Sequence, residues 1–142
     1  MRYENALVIG APASVVWDLT TDIARWPELT PTMRSVEPLD PLPLKTGVRA
    51  RIKQPLQPAS VWTVTEFEPG RRFAWETRRG ELTMTGTHLV EEVDGGCRNT
   101  LGLELSGKGE GRFAFLFGAA VRWGIAKENQ GFKQEAERLA AE

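Results

Sequence analysis

The chain has 142 residues, with 18 Lys plus Arg against 19 Asp plus Glu, for a net charge of -1. That length suits a single domain, residues 1–142, able to bury about two thirds of its extended surface. Near-balanced charge argues against a strongly electrostatic binder of nucleic acid or membrane. One cysteine, Cys97, excludes an intramolecular disulfide and any Cys-rich zinc module.

Residues 3–10 read as a strand with Tyr3, Leu7 and Ile9 on one parity, and Asn5 interrupts the alternation. Ala11-Pro12 opens a helix in which Val15, Val16 and Leu19 form an apolar stripe next to Trp17. Asp22 is placed to cap a second short helix ending at Arg25 or Trp26, with Pro27 as its stop. Met33 to Pro38 reads as an edge strand and Gly47 to Gln54 as a strand alternating Val48, Ala50 and Ile52 with Arg49, Arg51 and Lys53. A turn from Gln54 includes Pro58. Ser60 to Glu68 is rich in strand formers, and Pro69-Gly70 is a turn. Arg72 to Arg78 returns with Phe73 and Trp75 on one face. Leu82 to Val93 and Arg98 to Ser106 flank the hairpin turn Asp94-Gly95-Gly96, and Leu101, Leu103 and Leu105 alternate strictly. Glu110 to Ala140 reads as one long helix, through Phe113, Leu116, Phe117, Ala120 and Trp123 and more thinly through Phe132, Ala136 and Leu139. Its tail, Lys127 to Glu142, mixes both signs and reads as a solvated face. Gly118, Gly124 and Gly131 mark close approaches, room for a ligand, or a kink.

An antiparallel sheet with one apolar face must cover that face, and the last helix is the one element long enough to do so. The expected fold is therefore α+β: about seven curved antiparallel strands around a long C-terminal helix, with two short helices after the first strand. The apolar runs Ala6 to Ile9 and Phe113 to Val121 are too short to span a bilayer. The compartment expected is the cytoplasm, without stable membrane insertion.

Few side chains suit acid–base work near neutral pH. GKGEG at 107–111 lacks the spacing of a phosphate-binding loop. One His and one Cys make a transition-metal site improbable, so no metal and no cofactor are expected. His88 lies on the parity of Met84 and Gly86, and that parity is compatible with either face of the sheet. Five Trp against one Tyr and one His fit a filled core or a lined, mostly apolar cavity. The Arg and Glu residues of the strand region read as cross-strand ion pairs on a wet face. Arg51, Arg78 or Glu76 pointing inward is the alternative.

Read together, Leu7 to Ala13 with Val16-Trp17, Thr21 to Glu28 (TDIARWPE), Gly47 to Lys53, Trp62 to Glu76 and Gly95 to Leu101 resemble the START-like, or SRPBCC, superfamily. The likeness is to its polyketide cyclase/dehydrase and lipid-transport-like branch, and it covers essentially the whole chain. The resemblance implies a helix-grip fold whose cavity, between sheet and long helix, takes a hydrophobic ligand such as a lipid, sterol or polyketide. On that footing Trp17, Trp26, Trp62, Trp75, Met84, Phe113, Phe117 and Trp123 are expected to contact the ligand. The leading expectation is binding of a small hydrophobic molecule without turnover. One alternative is a polyketide cyclase or dehydratase with His88 as base and Arg51 or Arg78 as donor. Another is an interaction module whose apolar surface around Trp26, Pro27 and Leu29 docks a partner. Homodimerisation stays open, and no nucleic-acid partner is expected.

Overall fold

The computed structural model describes residues 1–55 and 57–142. Seven strands form one antiparallel sheet in the order β1-β7-β6-β5-β4-β3-β2. They are β1 (Arg2–Ile9), β2 (Ser35–Pro38), β3 (Arg49–Lys53), β4 (Ser60–Glu68), β5 (Arg72–Arg79), β6 (Leu82–Val93) and β7 (Gly96–Gly107). After β1 come α1 (Ala13–Thr21), a 3-10 turn (Ile23–Arg25) and α2 (Trp26–Leu29), and the long α3 (Glu110–Ala140) ends the chain. Consecutive strands pair as hairpins from β2 to β7, and β1 closes against β7. The turn expected from Gln54 includes Leu56, which lies outside the described residues.

Register explains why one face is apolar. Phe73, His88 and Leu101 stand side by side across β5, β6 and β7, and Trp75, Gly86 and Leu103 form the next row. Thr77, Met84 and Leu105 form a third. Successive strand residues point to opposite faces, so the inward Leu alternation on β7 fixes the faces of its neighbours. His88 is thereby on the inner face. Arg51 and Arg78 point outward: Arg51 pairs across the strand with Glu37, and exposed Arg78 alternates with buried Thr77. The alternative that Arg51 or Arg78 turns inward is corrected by this register.

Two local expectations also change. Pro27 does not stop a helix; it sits in the first turn of α2, where its missing N–H leaves no bond unmade. Asp22 makes no side-chain cap there. The segment before Ser35 is not strand, and Met33 is buried in the preceding turn.

α3 makes its main sheet contacts with β1 and β7 and also packs on α1 and α2. Its C-terminal half is held by three amides. Asn129 accepts from Asn99 Nδ2 (2.9 Å), and its own Nδ2 faces Asn5 Oδ1 (2.9 Å), the Asn5 carbonyl (3.1 Å) and the Asn99 carbonyl (3.0 Å). Asn99 and Asn129 are fully buried. Asn5, the residue that broke the β1 alternation, is thus the inward partner of the helix. Gly131 brings α3 onto the end of α2: a Cβ there would stand 2.2 Å from the Leu29 carbonyl oxygen. Phe132 and Ala136 are buried beside it, continuing the apolar stripe, while Lys127, Gln134 and Arg138 stay exposed on the solvated face. Among the described residues, no helix is long and apolar enough to cross a membrane.

Candidate functional site

Beyond the amide clamp, α3 covers the middle of the sheet without filling the space beneath. The result is a cavity of about 430 Å³ between α3, the α2 corner and strands β3 to β7. Small-molecule sites fall in the range of about 300–1,000 Å³ and are mostly apolar with a few placed polar groups. Trp26, Trp62, Trp75 and Met84 line it from the corner and the sheet, and Phe113, Val121, Trp123 and Ile125 from the helix. Gln54, Pro55 and Gln57 form the rim at the β3–β4 connection. Arg79 steadies that rim by donating to Gln57 Oε1 (2.9 Å) and Ser60 Oγ (3.1 Å).

The tryptophans divide by role. Trp26 is locked: its indole N–H donates to the Leu19 carbonyl (3.3 Å), and its ring meets Trp75 edge-on at 5.3 Å and Phe132 at 5.9 Å. Trp62 and Trp75 lie 5.9 Å apart, with Trp75 over Gly86. A Cβ at Gly86 would stand 3.1 Å from Trp75 Nε1, so the missing side chain is what admits the indole. Trp123 lines the cavity and is also 56% exposed. Two expected residues are elsewhere. Trp17 packs on Phe67 and Phe73 (5.7 and 6.4 Å) between α1 and the sheet. Phe117 leans on Phe113 (5.0 Å) and faces solvent. Neither is part of the cavity wall.

Two titratable groups line the cavity. His88 stacks on Phe73 (4.7 Å, 7°) and lies 5.1 Å from Trp26, with Trp75 and Phe132 at its edges. Burial among these rings lowers its pKa to about 3, so the imidazole is neutral at physiological pH. Nδ1 is sealed without a partner, so any bond to a cavity occupant runs through Nε2. Glu128, on α3, is the residue the sequence reading missed. It lines the cavity and makes no ion pair or hydrogen bond among the described residues, and burial raises its pKa to about 8. A carboxyl in that state is protonated at neutral pH and donates. The available signal was position: Glu128 sits three residues after Ile125 and four before Phe132, on the apolar side of the helix. Among the described residues no Lys or Arg lines the cavity. The site therefore offers aromatic walls, a neutral acid and a neutral imidazole, with nothing to balance an anionic ligand.

A sheet gripping one long helix over an aromatic-walled cavity defines the helix-grip proteins. The chain belongs to the polyketide cyclase/dehydrase and lipid transport family, whose model matches residues 2–142. A Streptomyces halstedii protein described provisionally as a polyketide cyclase is 33% identical over 76 residues, 54% of this chain and 59% of that one. A Streptomyces cyaneus protein of the same description is 50% identical over 36 residues, 25% of this chain and 24% of that one. The matched stretches thus span less than two thirds of these relatives. Among solved structures, the ZhuI aromatase/cyclase of a Streptomyces species superposes with a TM-score of 0.78 at 18% identity, covering 97% of this chain and 94% of that one. A hypothetical protein of Helicobacter pylori gives 0.79 at 20% identity, covering 95% and 86%. At these identities the structural likeness establishes the fold.

Proposed function

We propose that the protein binds a small, uncharged, largely apolar molecule carrying a carbonyl or hydroxyl group, of polyketide-like or sterol-like character. The observation that carries this reading is the cavity itself, walled by Trp26, Trp62, Trp75 and Trp123 and lacking any cation. Protonated Glu128 supplies the donor and His88 Nε2 a second polar contact. The polyketide cyclase description of the Streptomyces relatives supports the ligand class. We place the activity in the cytoplasm, where the free, buried Cys97 suits a reducing environment.

Native mass spectrometry and thermal shift with neutral aromatic polyketides, sterols and fatty acids test the proposal. A neutral ligand should raise the melting temperature, and a carboxylate of the same skeleton should raise it less. No response from any neutral ligand, or a preference for the anion, refutes it.

A second reading, dehydration or cyclisation, rests on Glu128. Dehydration breaks a C–O and a C–H bond: Glu128, with a pKa of about 8, is matched to protonating the leaving hydroxyl, and His88 Nε2 is the group that would take the α-proton. His88, whose conjugate acid lies near 3, is a weak base there, which favours binding over turnover. Arg51 and Arg78 lie outside the cavity, so the donor role assigned to them on sequence passes to Glu128. Turnover of a β-hydroxyketone substrate by the wild type, lost in Glu128→Gln with binding retained, would establish this reading. Turnover unchanged in that variant would end it.

A further inference from the structure

The N-terminal half of α3 carries apolar side chains on the face turned away from the sheet. Phe115 is 89% exposed and Leu116 57%. With Ala119 and Trp123 they recur at i, i+1, i+4 and i+8, one stripe running about 12 Å along the helix. The opposite side is the packed one, where Phe113 and Ile125 enter the core and Gly118 meets the Tyr3 hydroxyl. Beyond Glu110, whose carboxylate lies 3.9 Å from the Met1 ammonium, charge on this segment has one sign. From Gly111 to Lys127 there is no Asp or Glu, against Arg112, Arg122 and Lys127, in a chain whose net charge is -1. Arg122 lies over the Tyr3 ring at 5.2 Å, at the margin of the stripe.

These features select the occupant. At their exposures Phe115, Leu116 and Trp123 present about 400 Å², since an aromatic side chain covers about 150–250 Å². A stable dimer takes about 800 Å² from each partner. A second copy laid on this face would also set its cations against their own equivalents with no acid between them. An apolar stripe rimmed by Arg and Lys is the pattern of a helix lying in the interface of an anionic bilayer. Trp123 belongs to both the stripe and the cavity wall.

We infer that this half of α3 docks the protein peripherally on an anionic lipid surface, with the cavity mouth at headgroup level. The docking stands on the stripe and its cations alone; exchange of a cavity ligand with the membrane rests on the binding reading above. The test is co-sedimentation of the full chain, without added ligand, with vesicles of phosphatidylcholine alone or with about 30% phosphatidylglycerol, at about 1 mM lipid. The anionic vesicles should carry down most of the protein, and about 0.5 M salt should cut this at least fivefold. Phe115→Glu with Leu116→Glu should cut it at least tenfold at an unchanged circular dichroism spectrum, since both side chains are exposed. Val61→Glu, on the outer face of β4, should leave it unchanged. Any one of three results overturns the inference: no binding to anionic vesicles, equal binding to neutral ones, or the double variant binding like wild type. So does a dimer in light scattering that the double variant splits, which would assign the face to a second copy.

Discussion

Glu128 and His88 perturb stability in opposite directions, which makes the cavity readable by its pH profile. His88 titrates at 6.5 when unfolded and about 3 when folded. Between those values the unfolded state holds the extra proton, so stability rises with pH at about 1.4 kcal/mol per unit. Glu128 titrates at 4.5 unfolded and about 8 folded. Between those values the folded state holds the extra proton, so stability falls with pH at the same slope. The two slopes cancel from 4.5 to 6.5. Above 6.5 the Glu128 slope stands alone until about 8. Below 4.5 the His88 slope stands alone, reinforced as Asp40, Glu135 and Glu137, all held low by hydrogen-bonded cations or a backbone N–H, take up protons. The full Glu128 shift, from 4.5 to about 8, amounts to about 5 kcal/mol at alkaline pH, of which about 2 accrues between pH 6.5 and 8. Glu128→Gln keeps the shape and removes the ionisation. Urea titrations from pH 4 to 9 should show the variant equal to wild type below pH 4.5 and about 5 kcal/mol more stable near pH 8–9. A wild-type profile flat from 6.5 to 8, or a stability difference independent of pH, refutes the assignment of Glu128 as an unpaired cavity acid.

Four further substitutions probe the clamp, the cavity and the register. Asn129→Leu removes the shared partner of Asn5 and Asn99 and strands their buried polar atoms; it should cost about 3–4 kcal/mol and lower the melting temperature by about 10 °C by calorimetry. Gly86→Leu drives a side chain against the Trp75 and Trp62 rings and should weaken ligand binding at least tenfold by titration calorimetry, with the strand content by circular dichroism retained. Arg51→Ala and Arg78→Ala should leave binding unchanged and stability within about 0.5 kcal/mol in urea titrations, because both sit on the outer face in water.

The fold was legible because its signals are redundant. Leu101, Leu103 and Leu105 alternate cleanly, and the stripe of α3 has no competing element long enough to cover the sheet. The site was legible in part. Trp26, Trp62, Trp75, Met84, Phe113 and Trp123 line the cavity as aromatic and sulfur bulk on inward parities. Trp17 was misplaced because α1 packs on α3, β6 and β7 and gives no residue to the cavity wall, and periodicity alone does not say which neighbour each side meets. The face of His88 was unreadable from β6, whose inner row of Met84, Gly86 and His88 is hardly more apolar than its outer row of Thr83, Thr85 and Thr87. Its partners on β5 and β7 settle it. Glu128 was invisible for a related reason. A carboxylate among Lys127, Lys133 and Glu135 counts as solvated until the helix is placed on the sheet.

The fastening of α3 at Asn129 and Gly131 separates two kinds of evolutionary constraint along one helix. Residues beyond that point answer to the strands and to α2, and changing them endangers folding. The three and a half turns from Phe113 to Ile125 answer to whatever fills the space below and whatever meets the outer face. Substitutions there can alter selectivity while the fastened half preserves the architecture. On the proposed binding role, rewriting about a dozen helical positions would reshape one wall of the cavity while the sheet wall of Trp62, Trp75 and Met84 stays as it is.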